Sequence, residues 1–118
     1  MISGVSNVWV PVSDMERALT FYRDRLGLTV KEDQSPDWAE LDGDGVRIGL
    51  NGRESAGGST DGGAVITFHS DAIEDDRTRL IGEDVSFTGE VSSYDWGSVA
   101  PFKDSEGNDL QLFQPPKG

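Results

Sequence analysis

The sequence predicts an α+β protein built from two copies of a β-α-β-β-β unit, and three observations support this fold class. The segment Val-Trp-Val-Pro-Val-Ser-Asp ends at Asp14, and the similar segment Val-Ile-Thr-Phe-His-Ser-Asp ends at Asp71, 57 positions later. An Asp-Trp pair ends at Trp38 and recurs at Trp96, 58 positions later. An apolar segment follows each pair, at 46–50 and 110–113. Self-similarity at a nearly constant spacing indicates a duplicated structural unit.

Each unit carries one predicted helix, which follows its first strand. Residues of a capping box begin both helices: Ser13 with Glu16, and Asp71 with Glu74. Apolar residues then recur at helical spacing: Ala18, Leu19, Tyr22 and Leu26 in the first helix, and Ile73, Leu80 and Ile81 in the second. Gly27 and Gly82 suit the left-handed conformation that ends a helix. The pattern therefore predicts one helix per unit.

Eight strands follow from alternating apolar residues and β-rich composition. They are expected near 5–12, 28–32, 37–42 and 45–50 in the first unit, and near 63–69, 85–91, 96–102 and 109–114 in the second. The two modules, 1–52 and 62–118, are joined by a predicted glycine-rich linker at 53–61. We expect the sheets to curl around a cleft on one side, with the helices covering the other side.

The composition limits the possible environments of the protein. The chain has 118 residues, the usual size of one domain, so its two modules must share a core or pair with another subunit. It contains no cysteine, which excludes disulfides and thiolate chemistry. No segment approaches the roughly 20 apolar residues of a membrane span, and the first residues do not have the pattern of a signal peptide. We expect a cytoplasmic protein.

The charge balance is strongly acidic. The chain has 22 acidic and 10 basic residues, a formal net charge of -12. Binding to nucleic acids or anionic lipids depends on clustered lysine and arginine, so neither partner is expected. The acidity is equally compatible with a high-salt habitat, in which self-repulsion is screened, and with compositional drift in a GC-rich genome.

Several motifs resemble the vicinal oxygen chelate superfamily, which includes glyoxalase I, bleomycin-resistance proteins and extradiol dioxygenases. They are Val-Ser-Asp at 12–14, Phe-Tyr-Arg-Asp-Arg-Leu-Gly at 21–27, Trp-Gly at 96–97 and Phe-Lys-Asp-Ser-Glu-Gly-Asn at 102–108. The resemblance covers essentially the whole chain and implies the fold more strongly than the function. Phe21, Tyr22 and Leu26 are expected in the core, and Gly107 with Asn108 in a turn.

The resemblance also implies where a metal would bind. Catalytic members take one ligand from the first and one from the last strand of each module, and these positions here hold Asn7, Gly49, Ala64 and Gln111. None is a histidine or a carboxylate, the donors that a catalytic divalent metal needs. We therefore predict no metal cofactor. The single histidine, His69, is expected to face the helix as a structural residue.

Strand periodicity predicts which side chains line the cleft. The expected ligand-binding residues are aromatic side chains for stacking and polar side chains for orientation: Trp9, Phe68, Trp96 and Phe113, with Asn7, Arg47 and Gln111. The bulky aromatic residues could equally fill a core, and Arg47 could pair with Glu40. No catalytic residue is singled out.

Three functional classes remain open at this point. The first is a metal-free binding protein of the bleomycin-resistance type, which sequesters or carries a small organic ligand as a homodimer. The second is a divalent-metal lyase or dioxygenase, against which the vacant ligand positions argue. The third is a metal-independent enzyme of the same fold that uses Glu40, Asp109 or Tyr94 as acid or base.

Overall fold

A computed structural model describes residues 7–53 and 65–116 of the protein. The chain divides into two compact units, Met1–Ser59 and Thr60–Gly118. Each unit has the element order β-α-β-β-β and one four-stranded mixed sheet, which confirms the predicted α+β fold class. Most of the predicted linker, from residue 54 onward, lies outside the described residues. Within the described ranges, no helix is long and apolar enough to cross a membrane.

In its described residues, 7–53, the first unit has one helix and four strands. Its elements are β1 (Asn7–Pro11), α1 (Met15–Leu19) continued by a π-helix (Thr20–Arg25), β2 (Val30–Gln34), β3 (Trp38–Asp42) and β4 (Arg47–Asn51). The strand order is β1-β4-β3-β2. β1 runs parallel to β4, and the other pairs are antiparallel. The β-α-β connection thus places the first and last strands of the unit side by side.

The second unit repeats this topology. Its elements are β5 (Ile66–His69), α2 (Ile73–Gly82), β6 (Ser92–Tyr94), β7 (Gly97–Lys103) and β8 (Asp109–Gln114). The strand order is β5-β8-β7-β6, with β5 parallel to β8. The sheets of the two units are therefore built in the same way.

The first helix begins one residue later than the capping box predicted. Asp14, not Ser13, is the N-cap, and its carboxylate accepts a hydrogen bond from the Arg17 backbone N–H at 3.1 Å. Further along, the Leu26 N–H bonds to the Phe21 carbonyl at 3.0 Å, the i to i+5 pattern of a π-helix. Gly27 then adopts a φ of 80°, as the sequence predicted for a helix stop.

The second helix also begins one residue later than predicted. Its N-cap is Ala72 instead of Asp71, and the Ile73 N–H is satisfied by the side-chain oxygen of Gln114 at 2.8 Å. Gly82 lies within the last turn, and Asp84 adopts the left-handed φ of 65° instead. The two N-caps are therefore 58 residues apart, one more than the spacing between Asp14 and Asp71.

The strand predicted at 85–91 is wrong. Phe87 forms only an isolated bridge to Phe102, and the second strand of the unit is the short β6 at 92–94. The Phe87 ring stacks on Phe102 with centroids 5.0 Å apart, and the Arg77 guanidinium lies 5.2 Å from the Phe87 ring centroid. Arg77 also donates to the Gly89 carbonyl at 3.2 Å. The apolar residues of this segment thus anchor a loop instead of forming a strand.

The helix-facing side of each sheet forms the core. In the first unit α1 packs on β4, and in the second α2 packs on β7 and β8. The buried strand residues are almost all aliphatic: Val10, Ala39, Leu41, Ile48 and Leu50 in the first unit, and Ala100, Phe102, Leu110 and Leu112 in the second. Phe21 and Tyr22 are buried, as predicted. Each sheet has a second face that is opposite to its helix, and this face carries polar side chains together with Trp9 and Trp38 in the first unit and Phe113 in the second.

Candidate functional site

In the first unit, strand pairing brings the predicted residues of β1 and β4 together on the sheet face opposite α1. Asn7 lies beside Arg47, and Trp9 lies beside Gly49, in a parallel register. Neighbouring residues in register point to the same side of a sheet, so these four positions share one face, as strand periodicity predicted. Trp9 is 47% exposed. The roles of Asn7, Trp9 and Arg47 in ligand binding remain predictions.

Gly49, one of the predicted vacant metal positions, is covered by the indole of Trp38. A Cβ atom built on Gly49 would lie 2.6 Å from Cζ2 of Trp38 and 3.0 Å from Cβ of Trp9. Real Cβ atoms essentially never approach other heavy atoms within 3.0 Å. The space that a metal-binding side chain would need at position 49 is therefore filled by an aromatic ring.

The Trp38 indole is held in place by a hydrogen bond to Glu40 and by the nearby guanidinium of Arg53. Its Nε1–H donates to Glu40 at 3.0 Å, and the other carboxylate oxygen of Glu40 lies 3.3 Å from the Arg47 guanidinium. The Arg53 guanidinium lies 5.7 Å from the Trp38 ring centroid, within range of a cation–π interaction. The Glu40 carboxylate is thereby committed to Trp38 and Arg47. The sequence suggested the Arg47–Glu40 pair but missed Trp38, whose side chain reaches diagonally from β3 to Gly49 on the adjacent strand β4.

In the second unit, Gln111 occupies the last-strand position that matches Gly49. Gln111 lies beside Thr67 in the parallel pairing of β5 and β8, and its amide Nε2 donates to the Thr67 hydroxyl at 3.1 Å. The next register pair on this face is His69 with Phe113. Gln111 and Phe113 thus share a face, as predicted, and the Gln111 amide is bound by a side chain of the same sheet.

The predicted phase of β5 is wrong by one residue. Phe68 pairs with Leu112 and points to the helix side, where its ring lies 6.4 Å from Phe102, so it does not share the face of Gln111. His69, expected to face the helix, is on the Gln111 face instead. Its side chain is 61% exposed, and its Nε2 lies 2.8 Å from an Asp71 carboxylate oxygen. The first strands and the N-caps of the two units are both 58 residues apart, whereas the prediction used the spacing of 57 between Asp14 and Asp71.

The shift of one residue in β5 also changes which residue occupies the vacant position that the sequence assigned to Ala64. Ala64 lies outside the described residues. Because Trp9 pairs with Gly49 and Thr67 pairs with Gln111, the two first strands match at a spacing of 58, and the counterpart of Asn7 is Val65. Val65 is 48% exposed and has an aliphatic side chain that cannot bind a metal. The corrected register therefore supplies no additional ligand.

Three aromatic rings form a row at one end of the second sheet. We call Tyr94, Trp96 and Phe113 the aromatic platform. The Tyr94 and Trp96 rings lie 4.8 Å apart with their planes at 7°, and the Trp96 and Phe113 rings lie 6.3 Å apart at 17°. Gly97 permits this packing, since a Cβ atom there would lie 2.6 Å from the Phe113 ring. The sequence suggested Tyr94 only as an acid or base and did not reveal its stacking on Trp96.

Trp38 and Trp96 are not equivalent positions, although the repeat suggested it. Trp38 is the first residue of β3 and pairs with Asn51, whereas Trp96 lies in the turn before β7. In the second sheet the strand position that matches Trp38 is Val99, which pairs with Phe113. β7 has seven residues and β3 has five, so the equal spacing of the two Asp-Trp pairs does not reflect the sheet register.

The described residues do not contain a metal-binding cluster. Across 7–53 and 65–116, no three or more histidine, cysteine, aspartate or glutamate side chains converge on one point. The family positions hold an amide at Asn7 and Gln111, a hydrogen at Gly49 and an isopropyl group at Val65. These groups do not suit a catalytic divalent metal, because neutral amides and alkyl groups provide neither charge nor strong donation.

Two surface clefts lie away from the predicted ligand-binding residues. The larger cleft, of about 780 Å³, lies in the first unit beside the start of α1 and the β2–β3 loop. Its polar lining includes Asp14, Glu16, Arg23 and Asp33. The smaller cleft, of about 310 Å³, lies in the second unit at the start of α2. Neither cleft contains any of the aromatic residues that the sequence singled out.

Two carboxylates at the first unit's surface have a lowered pKa. Hydrogen bonds from the Ser35 hydroxyl and backbone N–H hold the pKa of Asp33 below its ordinary value. The Arg23 guanidinium, 2.8 Å from Asp24, lowers the pKa of that carboxylate and has its own pKa raised in return. Both carboxylates therefore stay charged to a lower pH than an unpaired aspartate does.

Comparison with known proteins places this architecture in a family. The model of the Glyoxalase/Bleomycin resistance protein/Dioxygenase superfamily matches residues 4–112. An uncharacterized protein, YetH of Bacillus subtilis (strain 168), is 27% identical over 114 residues, which cover 92% of this chain and 95% of that protein. The matches span nearly the full length of both proteins.

Solved structures extend the comparison. TnmS3, an antibiotic binding protein from Streptomyces sp. CB03234, is 29% identical with a TM-score of 0.79, and the match covers 98% of each chain. A member of the same superfamily from Sphaerobacter thermophilus is 25% identical with a TM-score of 0.79, over 97% of this chain and 98% of that one. A lactoylglutathione lyase from Agrobacterium tumefaciens has a TM-score of 0.78 over 96% and 94% of the chains but only 16% identity, which shows a shared fold.

Proposed function

Since this chain belongs to the Glyoxalase/Bleomycin resistance protein/Dioxygenase superfamily, we propose that it is a metal-free binding protein for a small organic molecule. The observation that carries this proposal is the Trp38 indole packed over Gly49. At this position the family's metal enzymes would need a ligand side chain, and here a ring occupies its space. The sheet face is thereby suited to contact with an organic molecule and not to metal coordination.

The residues at the remaining family positions support the same proposal. Gln111 is hydrogen-bonded to Thr67, and Asn7 lies beside Arg47. Amide and guanidinium groups orient a ligand through hydrogen bonds, while nearby aromatic rings provide contact area. This combination is typical of binding sites for small molecules. TnmS3, which is 29% identical, is an antibiotic binding protein, and antibiotic binding belongs to this class of function.

The groups that a metal-independent enzyme would use as acid or base are already engaged. Glu40 accepts hydrogen bonds from Trp38 and Arg47, and Asp109 forms an ion pair with Lys103. Tyr94 is stacked on Trp96. Each of these three side chains therefore already has a partner within its own unit. We therefore favour binding over catalysis.

The homodimer predicted from the sequence also remains a proposal, which sedimentation of the purified chain tests.

Calorimetry tests the proposed function. Chelator-treated protein is titrated with a panel of aromatic antibiotics, once in EDTA and once with added Mn²⁺, Ni²⁺ or Zn²⁺. We expect at least one compound to bind with the same dissociation constant in every buffer and to be recovered unchanged after incubation. Binding that requires a metal, or conversion of the compound, would contradict the proposal.

A further inference from the structure

We propose that His69 and Asp71 bind a hydroxyl group of the ligand, with the ring nitrogen Nδ1 of His69 accepting the hydrogen bond. This inference rests on the proposed function. It adds a ligand-contacting residue, His69, a positioning residue, Asp71, and a chemical class of ligand, a neutral molecule with an acidic hydroxyl group such as a phenol. It follows from the hydrogen bond within the pair, from the place of the pair on the second sheet, and from the residues at the same positions in the first unit.

The hydrogen bond between the two side chains determines which ring nitrogen of His69 carries the hydrogen. Nε2 of His69 lies 2.8 Å from Oδ1 of Asp71. An ionised carboxylate can only accept hydrogen bonds, so Nε2 is the donor, and the other nitrogen of the neutral ring, Nδ1, carries no hydrogen. Within residues 7–53 and 65–116, no group is hydrogen-bonded to Nδ1. The acceptor is therefore open to a ligand on a side chain that is 61% exposed.

Asp71 can hold the imidazole because the helix that follows does not use its carboxylate. The N-cap of α2 is Ala72, and the Ile73 N–H donates to the Gln114 side chain at 2.8 Å. In the described part of the chain, His69 is the hydrogen-bond partner of the Asp71 carboxylate and no other residue is. A carboxylate bound to one imidazole nitrogen fixes the tautomer and polarises the ring, which strengthens the other nitrogen as an acceptor.

The fold does not require this pair. The side chains of His69 and Asp71 are 61% and 93% exposed, and exposed pairs of this kind add little stability. The first strands of the two units match at a spacing of 58, so the counterpart of His69 is Pro11. The counterpart of Asp71 at the same spacing is Ser13. The first unit thus builds the same strand and helix start without an imidazole or a carboxylate at these positions.

His69 lies on the face of the second sheet that also carries Gln111. Its register partner on β8 is Phe113, the last ring of the aromatic platform, and the hydrogen-bonded Thr67 and Gln111 form the next pair on the same face. Two residues along a strand correspond to about 7 Å. One small molecule can therefore contact the His69 ring, the apolar surface of Phe113 and the polar side chains of Thr67 and Gln111.

The charges around this acceptor favour a neutral hydroxyl group. Nδ1 without a hydrogen cannot donate to a carboxylate or phosphate, and the Asp71 charge and the net charge of -12 on the chain repel an anion. A cation would be attracted to the Asp71 carboxylate itself and would compete with His69 for it. A phenolic O–H is a neutral donor, and its acidic hydrogen bonds strongly to an imidazole nitrogen.

Two probes that differ in this hydrogen test the inference. 2-Naphthol has a phenolic hydroxyl, and 2-methoxynaphthalene has the same rings but no donor. By fluorescence titration at neutral pH in EDTA, we expect 2-naphthol to bind about fivefold more tightly, the usual effect of one hydrogen bond. His69→Phe keeps a ring and should abolish the preference. Asp71→Ala should reduce it, but should have no effect in a His69→Phe background.

Glu74→Ala is the matched control, because it removes another exposed carboxylate at the start of α2. It should leave the preference for 2-naphthol unchanged. The thermal unfolding midpoints of His69→Phe and Asp71→Ala should remain close to that of the unchanged protein, which separates a loss of binding from a loss of fold.

Nuclear magnetic resonance of nitrogen-15-labelled histidine gives a local readout, because the chain contains a single histidine. In the free protein Nε2 of His69 should carry the hydrogen and Nδ1 should not. 2-Naphthol should shift the Nδ1 signal, and 2-methoxynaphthalene should not. Asp71→Ala should produce a mixture of the two tautomers, whereas Glu74→Ala should leave the tautomer unchanged.

Four results would overturn the inference: no binding of 2-naphthol, equal binding of both probes, a preference that survives His69→Phe, or a hydrogen on Nδ1 in the free protein. The proposed function would still stand if the calorimetric panel contained a compound that binds without metal and is recovered unchanged. Metal-dependent binding or conversion of that compound would count against the proposed function itself.

Discussion

Gly49 and Trp38 form a complementary pair in the first sheet, in which the missing side chain of one residue makes room for the indole of the other. A Cβ atom at position 49 would lie 2.6 Å from Cζ2 of the Trp38 ring. The two residues lie on adjacent antiparallel strands, with Glu40 directly beside Gly49 and bonded to the indole N–H. The absence of a side chain at Gly49 and the filling of that space by the Trp38 ring are therefore one structural feature.

The first prediction concerns this pair. Gly49→Ala should lower the free energy of unfolding by about 1–3 kcal/mol, because the added methyl group forces the Trp38 ring to move in a packed site. Urea unfolding measures the change. In a Trp38→Val background the same substitution should cost much less, since the obstructing ring is absent.

Gly82→Ala is the matched control, because nothing lies within 4 Å of a Cβ atom there. Gly82 is in the last turn of α2, and alanine should leave the stability unchanged or raise it by about 0.4–1 kcal/mol. If both glycine substitutions had equal effects, the steric account of Gly49 would be wrong.

The sheet face on which a strand residue lies could be predicted where the strand is long enough to show a clear alternation of apolar and polar residues. The alternation in β1, β4 and β8 correctly placed Asn7 on the face of Trp9, Gly49 on the face of Arg47, and Gln111 on the face of Phe113. β5 has only four described strand residues, and its phase was taken from Asp71 as a helix cap. The cap is Ala72, which has no side-chain acceptor. A cap at this residue could not be foreseen, because the acceptor for the Ile73 N–H comes from Gln114, far along the chain.

The second prediction tests that long-range cap. Gln114→Met removes the oxygen that accepts a hydrogen bond from the Ile73 N–H and should cost about 0.5–2 kcal/mol, the usual value of an N-cap. Adding Ala72→Asp to this variant should recover part of the loss, since the new carboxylate would provide a local acceptor as Asp14 does in α1. Urea unfolding and hydrogen exchange of the Ile73 amide measure both effects. Unchanged exchange in Gln114→Met would contradict the assignment.

The third prediction concerns the turn between β7 and β8. Asp104 is buried and accepts three hydrogen bonds of 2.8 Å, from the backbone N–H groups of Glu106 and Asn108 and from the Asn108 side chain. Asp104→Ala leaves these donors without their acceptor and should cost about 1–3 kcal/mol per unsatisfied buried group. Ser105→Ala, in the same turn, should change stability by less than about 0.5 kcal/mol. Chemical denaturation compares the two, and a similar small effect of both would show that the turn does not depend on Asp104.

The fourth prediction concerns the pKa of Asp33, which the Ser35 hydroxyl lowers from its ordinary value of 3.8. Since the folded pKa lies below the unfolded one, the interaction stabilises the protein fully above about pH 4, and this contribution is lost as the pH falls through the folded pKa. Ser35→Ala should raise the pKa of Asp33 part of the way back to its ordinary value, because the backbone N–H at position 35 still donates to the carboxylate. Carboxyl titration by nuclear magnetic resonance measures the shift.

Asp24 is the internal control for this titration. Its pKa is lowered by Arg23, so Ser35→Ala should leave it unchanged. Equal movement of both carboxylates would indicate a general rearrangement of the surface and not the loss of one hydrogen bond.

Side-chain packing across strands was the part of the site that periodicity could not predict. Alternation gives the face of a residue but not the direction in which a long side chain lies, so neither the reach of Trp38 over Gly49 nor the stacking of Tyr94 on Trp96 was visible. The equal spacing of the two Asp-Trp pairs was misleading, because the hairpin that carries Trp96 has a different register. Family resemblance indicated Gly49 as a vacant position, and only the fold showed that the Trp38 ring fills its space.

The measurement that tests the central claim most directly is thermal unfolding of chelator-treated protein with and without Mg²⁺, Mn²⁺, Fe²⁺, Ni²⁺ and Zn²⁺. A metal at 100 times its dissociation constant adds about 2.7 kcal/mol to the stability of the native state, which would raise the midpoint by several degrees. Because Asn7, Gly49, Val65 and Gln111 offer no charged donor, we predict no change in the midpoint with any of the five metals. An increase of many degrees with one metal at stoichiometric concentration would contradict the account and indicate a metal enzyme.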